Sequence, residues 1–284
     1  MKKLKVLLPK GKLYKNVVKL LNETGFQLEI SERSYRPWIS DPEMEVKILK
    51  PQNIPTLVAL GTYDLGFVGY DWVVETRADV VEVLDLELDT VRIVAAIPKG
   101  VRIKELRNRK IVVASEYEYL ARTFLDREKY DYIFFKSYGA TEVFPPDDAE
   151  MIIDNTTTEA TLKEHNLRII ATLLESSTRL ITNKDVLKDA WKSEKLRQLK
   201  LLFQSVFDAA KRVMLEMNVS QEKLEAIVKI LPCMRAPTIA PLYGGQGYAI
   251  KVAVKRDVVA KLIPHLKKLG ATDILEFEFK KVIV

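Results

Sequence analysis

Residues 149–167 read AEMIIDNTTTEATLKEHNL, and the change of pattern within them decides the fold class. The apolar run at 151–153 predicts a buried strand that delivers Asp154 at its end. Four polar residues follow, Asn155, Thr156, Thr157 and Thr158, and a helix begins near Ala160. Strand, polar turn and helix in that order are the unit of an α/β domain, in which ligands gather at the loops beyond the strand ends.

Outward from this stretch the same alternation continues. Towards the N-terminus, residues 4–8 predict a strand, Pro9-Lys10-Gly11 a turn, and 13–22 a helix with Val17, Leu20 and Leu21 on one face. Gly25 stops that helix. Strands follow at 46–49, 65–68 and 80–84, with a short helix at 53–60 ended by Gly61. The pattern restarts at Val91, with strands at 91–97, 111–114 and 132–135 and a helix at 117–127. Beyond Ala160 come strands at 168–173 and 177–181, then a long charged helix from about 185 to 215. The tail has another order: strand 214–219, helix 221–230, strands near 238–239 and at 247–254, helix 258–268, strand 274–279. That is βαββαβ, a ferredoxin-like arrangement. The expected architecture is two α/β lobes of periplasmic-binding-protein-like type with a cleft between them, plus a ferredoxin-like domain. The first lobe takes residues 1–90 with 182–212, the second 91–181, and the third domain 213–284.

Composition narrows the function classes. A chain of 284 residues that is 48% hydrophobic can bury a sizeable core. No run of about 18 apolar residues occurs, so no membrane partner is expected. Met1-Lys2-Lys3 leads into only a few apolar residues before Pro9 and Gly11, which does not make a secretory signal. Cys233 alone makes neither a disulfide nor a cysteine metal cluster, and His165 and His265 lie too far apart in sequence for a ligand pattern. A cytoplasmic, soluble protein is expected. The net charge of +6 suits polyanionic partners, nucleic acid or small phosphates, but 45 basic and 39 acidic residues are scattered, which argues against nucleic acid and reads more simply as a solvated, thermophile-like surface.

At the decisive segment, a carboxylate at a strand end can accept hydrogen bonds from the 2- and 3-hydroxyls of a ribose. The turn after it can offer backbone N–H groups and the hydroxyls of Thr156, Thr157, Thr158 and Thr161 to a 5-phosphate. Phosphoribosyl pyrophosphate needs this arrangement. Spacing alone leaves a second reading open, a β-turn whose threonines merely cap the helix.

The segment resembles the signature of the ATP phosphoribosyltransferase family, in which an acidic residue precedes a Ser/Thr-Gly-x-Thr-Leu phosphate loop. The likeness extends to PKGKL (9–13), RSYRP (33–37), KPQNIP (50–55), DLGFVGYD (64–71), GATE (139–142) and ESSTRLI (175–181). LPCMRAPTIAPL (231–242) is similar to the regulatory domain of long-form members. The resemblance spans the chain in the right order.

It implies the transferase that opens histidine biosynthesis, joining N1 of ATP's adenine to the ribose of phosphoribosyl pyrophosphate with release of pyrophosphate. Mg²⁺ on the pyrophosphate is the implied cofactor, with no side-chain metal site. By resemblance Asp154 holds the ribose, Glu142 shares its cleft, and Thr156, Thr157, Thr158, Ala160, Thr161 and Leu162 form the phosphate loop. Lys10 and Lys12 would meet the triphosphate or pyrophosphate, though two solvated lysines would read the same. Arg33 and Tyr35 would close over the nucleotide, and Asp71 would contact substrate from the first lobe. DLGFVGYD also reads plainly as a buried strand with a glycine-dependent turn. Histidine, as feedback inhibitor, would lie between copies of the C-terminal domain at Asn218, Thr238, Ala271 and Thr272, in a homo-oligomer between dimer and hexamer.

Four residues depart from the family pattern. Lys12 replaces an arginine, Asn155 an aliphatic residue, and Asn218 an acidic one. Glu159 stands where the phosphate loop has glycine. A carboxylate about 5 Å from a doubly charged phosphate costs roughly 2 kcal/mol even at water-like screening. Glu159 must therefore turn away, or the site is weakened. The rival expectations are a paralogue with a weakened or altered phosphoribosyl site and a non-catalytic bilobal binding module.

Overall fold

The computed structural model describes residues 2–29 and 35–284. Among the described residues there are two five-stranded sheets, one four-stranded sheet and a two-stranded ribbon of Leu28–Glu29 with Trp38–Ile39. In the first, the strands run Met44–Leu49, Leu4–Pro9, Leu65–Gly69, Thr178–Thr182, Val81–Asp85. Leu4–Pro9 pairs in parallel on both sides, Val6 opposite Val46 and Leu65, and is buried at five of its six residues. A strand covered on both faces is apolar at successive positions, which is why Val6, Leu7 and Leu8 read as a run rather than an alternation. The helix Lys12–Thr24 lays Val17, Leu20 and Leu21 inward, on the expected face.

The second sheet runs Leu167–Ser176, Val91–Pro98, Met151–Thr156, Ile111–Ser115, Tyr132–Lys136. Met151–Thr156 lies at its centre, Ile152 pairing with Ala96 on one side and Ala114 on the other. Asp154 is therefore carried by the central strand of its lobe's sheet.

One boundary differs from expectation. The strand foreseen at 177–181 with the second lobe spans Thr178–Thr182 and lies in the first sheet, with Leu180 opposite Phe67. The pattern of apolar residues marks a strand but not its partner, and this partner is more than a hundred residues away. The chain thus crosses between lobes twice, near residues 86–90 and at Ser177.

The long helix foreseen at 185–215 is also two helices, Lys184–Lys188 and Ala190–Ala210. Asn183 Oδ1 accepts the N–H groups of Asp185 and Val186, and Asp189 Oδ1 those of Trp191 and Lys192. Each is an N-cap, so Asp189 ends one helix and starts the next. The chain divides into two compact units within that second helix: residues 1–22 with 26–195, and 23–25 with 196–284. The part of the helix beyond residue 195, foreseen with the first lobe, thus belongs to the C-terminal unit.

In that C-terminal unit the sheet order is Thr238–Pro241, Tyr248–Lys255, Arg212–Val219, Thr272–Glu278, all antiparallel. Strict alternation along Arg212–Val219 turns Val213, Leu215, Met217 and Val219 to one face. The helices Leu224–Ile230 and Arg256–Leu269 cover it, completing the ferredoxin-like βαββαβ fold. Among the described residues no helix is long and apolar enough to cross a membrane.

Candidate active site

A cavity of about 460 Å³ opens at the C-terminal end of Met151–Thr156. Lys12, Glu142, Asp154, Thr156, Thr157, Thr158, Ala160, Thr161 and Leu162 line it, together with Asn155. Burial, the largest effect, pushes the Asp154 carboxyl up to about 7. The N–H of Asn155, 2.7 Å from Asp154 Oδ1, and the Thr141 hydroxyl oppose that shift, while the charges of Glu142 and Glu116 add to it. Two acidic neighbours around this half-buried carboxyl leave a cleft that favours cations and hydroxyl donors.

The loop itself is shaped by its first threonine. Thr156 is buried, and its Oγ1 accepts the N–H of Glu159 at 3.0 Å, which closes the turn before the helix Ala160–Glu164. Thr157, Thr158 and Thr161 stay exposed on the cavity, while Leu162 anchors the helix among Val94, Ala96, Ala114 and Ile152. Lys12 reaches from the first lobe, its Nζ donating to Thr157 Oγ1 at 3.3 Å.

Three expected site residues, Lys10, Tyr35 and Asp71, are not on this cavity. Lys10 donates to the Tyr35 hydroxyl at 3.4 Å and lies 5.3 Å from the centre of its ring, so these two meet each other instead. Arg33 lies outside the described residues. Asp71, expected to touch substrate, is instead buried. Its Oδ1 accepts from Ser176 Oγ at 2.7 Å and its Oδ2 from the Tyr117 hydroxyl at 2.8 Å. A Cβ at Gly69 would collide with the Asp71 carboxylate, so the glycine of this turn is required by packing. Tyr117 stacks on Trp72 at 4.7 Å, and burial, with the charge of Asp71, holds its hydroxyl well above the usual range. It remains a donor.

Tyr117 and Asn155 had no place in the expected site. Asn155 Nδ2 lies 3.3 Å from the Tyr117 hydroxyl and 3.2 Å from Asp154 Oδ1. The sequence signal for Asn155 was present, a polar residue in an aliphatic position beside Asp154.

With this geometry in view, the comparisons with known proteins identify the chain. Residues 50–205 match the family model described as ATP phosphoribosyltransferase, and residues 209–281 the one described as HisG, C-terminal domain. The ATP phosphoribosyltransferase of Pelotomaculum thermopropionicum is 41% identical, the match covering 99% of both chains. That of Chlorobium phaeovibrioides is 40% identical over 99% of this chain and 97% of its own. The chain belongs to the ATP phosphoribosyltransferase family, in its long form.

It is a pentosyltransferase of histidine biosynthesis. A solved structure titled ATP phosphoribosyl transferase (HisG:HisZ) complex from Thermotoga maritima shares the fold. Its TM-score is 0.63 at 24% identity, covering 71% of this chain and 98% of that one.

Family membership gives Glu159 its context. It stands where the resemblance places a loop glycine, and its backbone is left-handed, with φ 62° and ψ 4°. Left-handed backbone costs a non-glycine residue about 1 kcal/mol. The carboxylate does not line the cavity; it meets Arg92 Nη2 at 2.6 Å and Lys163 Nζ at 3.5 Å.

In the C-terminal unit of the transferase, Asn218 and Thr272 come together at one corner. Asn218 Nδ2 and Thr272 Oγ1 each lie 3.0 Å from Asp273 Oδ2, and buried Ala271 precedes them. Thr238 is on the opposite edge strand. Asp273 is not among the expected residues; its partner across the sheet, Asn218, is 55 residues away.

Proposed function

We propose that this transferase joins N1 of the adenine of ATP to the anomeric carbon of phosphoribosyl pyrophosphate. The C–N bond forms as the bond to the pyrophosphate oxygen breaks, and pyrophosphate departs. The observation that carries this reading is the single cavity that gathers Asp154, Glu142, Lys12 and the exposed hydroxyls of the 157–161 loop.

Asp154 accepts the ribose hydroxyls, which requires its ionised form. Thr157, Thr158 and Thr161 bind the 5-phosphate, with the N–H groups of Ala160 and Thr161. Lys12 draws the pyrophosphate towards the first lobe, and Glu142 balances the cation that accompanies it. Such a reaction builds positive charge on the sugar ring, so orientation and charge placement are the protein's contribution. Lys10 and Tyr35, which pack against each other, and Arg33 would contact the nucleotide.

Among the described residues no group of three or more His, Cys, Asp or Glu side chains could hold a metal ion. The acidic pair Asp154 and Glu142 nonetheless suits a hard cation carried in on substrate oxygens. Mg²⁺ carried in on the pyrophosphate would neutralise charge on the leaving group.

Histidine inhibits from the C-terminal unit. Asn218 departs from the family's acidic residue, but the Asp273 carboxylate beside it offers the missing charge to an amino group. Thr238, on the opposite sheet edge, reaches the same ligand when it comes from another copy. The active form is a homo-oligomer in the cytoplasm.

The test is pyrophosphate release from ATP and phosphoribosyl pyrophosphate with Mg²⁺, omitting each component in turn. Release that needs all three is expected; none above background removes the assignment.

A further inference from the structure

The phosphate loop carries an acid that ought to repel its ligand. Glu159 sits inside residues 154–162, yet every residue of that stretch except Glu159 lines the cavity. What turns it outward comes from the neighbouring strand. Arg92 lies on Val91–Pro98, directly opposite Thr156 in register, so its side chain starts beside the residue that opens the loop. Its Nη2 donates to Glu159 Oε1 at 2.6 Å, and Lys163, one helical turn on, approaches Oε2 at 3.5 Å. The Arg92 hydrogen bond, ahead of the Lys163 charge, holds the Glu159 carboxyl below its usual range. Arg92 does not itself line the cavity.

We propose that Arg92 is a positioning residue of the transferase, drawing Glu159 out of the phosphate loop and so keeping the anion site open in a chain that lacks the loop glycine. The proposal rests on the assignment of 156–162 as the phosphate loop. Both side chains are about one-third exposed, so as an ion pair they contribute little to stability. Their effect is on where a charge points. Freed of Arg92, the carboxylate can swing towards the phosphate, and a unit charge about 5 Å from a doubly charged group corresponds to roughly tenfold in affinity at water-like screening.

A double-mutant cycle on the full chain decides it. Phosphoribosyl pyrophosphate with Mg²⁺ is titrated by calorimetry into wild type, Arg92→Ala, Arg92→Gln, Glu159→Gly and the Arg92→Ala/Glu159→Gly pair. KM is measured separately for each substrate. Both Arg92 variants are expected to bind phosphoribosyl pyrophosphate roughly tenfold more weakly, with KM for ATP unchanged. Glu159→Gly alone stays close to wild type, and adding it to Arg92→Ala restores binding to within about twofold. Unchanged affinity in both Arg92 variants overturns the proposal. So does a pair as weak as Arg92→Ala, because Arg92 would then act directly. Tightening well beyond tenfold in Glu159→Gly alone also overturns it, since the carboxylate would already face the phosphate. A wild type that binds no phosphoribosyl pyrophosphate at all overturns the loop assignment itself.

Discussion

Replacing Asp154 with Asn should move stability and catalysis in opposite directions. The carboxyl is displaced from its ordinary 3.8 to about 7, chiefly by burial and then by Glu142 and Glu116. Below pH 4 it is protonated in the folded and unfolded chain alike, and its charge has no effect on stability. Between pH 4 and 7 the folded protein keeps a proton that the unfolded chain has released, so stability falls as the pH rises. Above pH 7 the loss is complete. A displacement of about 3 pH units, at about 1.4 kcal/mol each, sets a ceiling of about 4 kcal/mol.

Asn fills the same space and keeps an oxygen for the Asn155 N–H, but it carries no charge to bury. At pH 8 the variant should be more stable than wild type by about 1–4 kcal/mol, seen as a rise in Tm of roughly 3–10 °C. The gap should narrow steadily towards pH 4. Turnover should fall at least about tenfold, because the ribose loses its anionic acceptor. Thermal denaturation without substrates across pH 4–8, beside steady-state kinetics at pH 8, reads both. A destabilised variant, or a gap that ignores pH, would refute the reasoning, because Asp154 would then be held charged by its partners.

Other expectations concern the residues around it. Tyr117→Phe removes the donor to buried Asp71 Oδ2 and should cost about 1–3 kcal/mol in urea denaturation; an unchanged midpoint would show that the bond contributes nothing. Lys12→Ala should raise KM for phosphoribosyl pyrophosphate by roughly fivefold, about 1 kcal/mol, whereas Lys12→Arg should match or improve on wild type through its bidentate fork. Asn218→Ala and Asp273→Asn should each raise the histidine concentration for half-inhibition by about tenfold and leave uninhibited turnover unchanged. Failure of millimolar histidine to inhibit the wild type ends that line.

What the sequence determined by itself was local. The run MII before Asp154, the threonines after it and the helix from Ala160 are each set by periodicity and capping within a few residues, and the βαββαβ tail follows from the same signals. The family motifs add the identity of the reaction. Tertiary structure decided what depends on partners far apart in the chain. Asp71 reads as a plausible ligand in DLGFVGYD, but Ser176 and Tyr117, 105 and 46 residues away, bury it. The strand Thr178–Thr182 reads as a strand in either lobe, and only its pairing with Leu65–Gly69 places it in the first. Glu159 reads as an offence against the phosphate loop, and only the register of Arg92 opposite Thr156 shows where its charge goes. Backbone propensity is written in neighbours; the direction of a side chain is fixed by contacts that folding alone brings together.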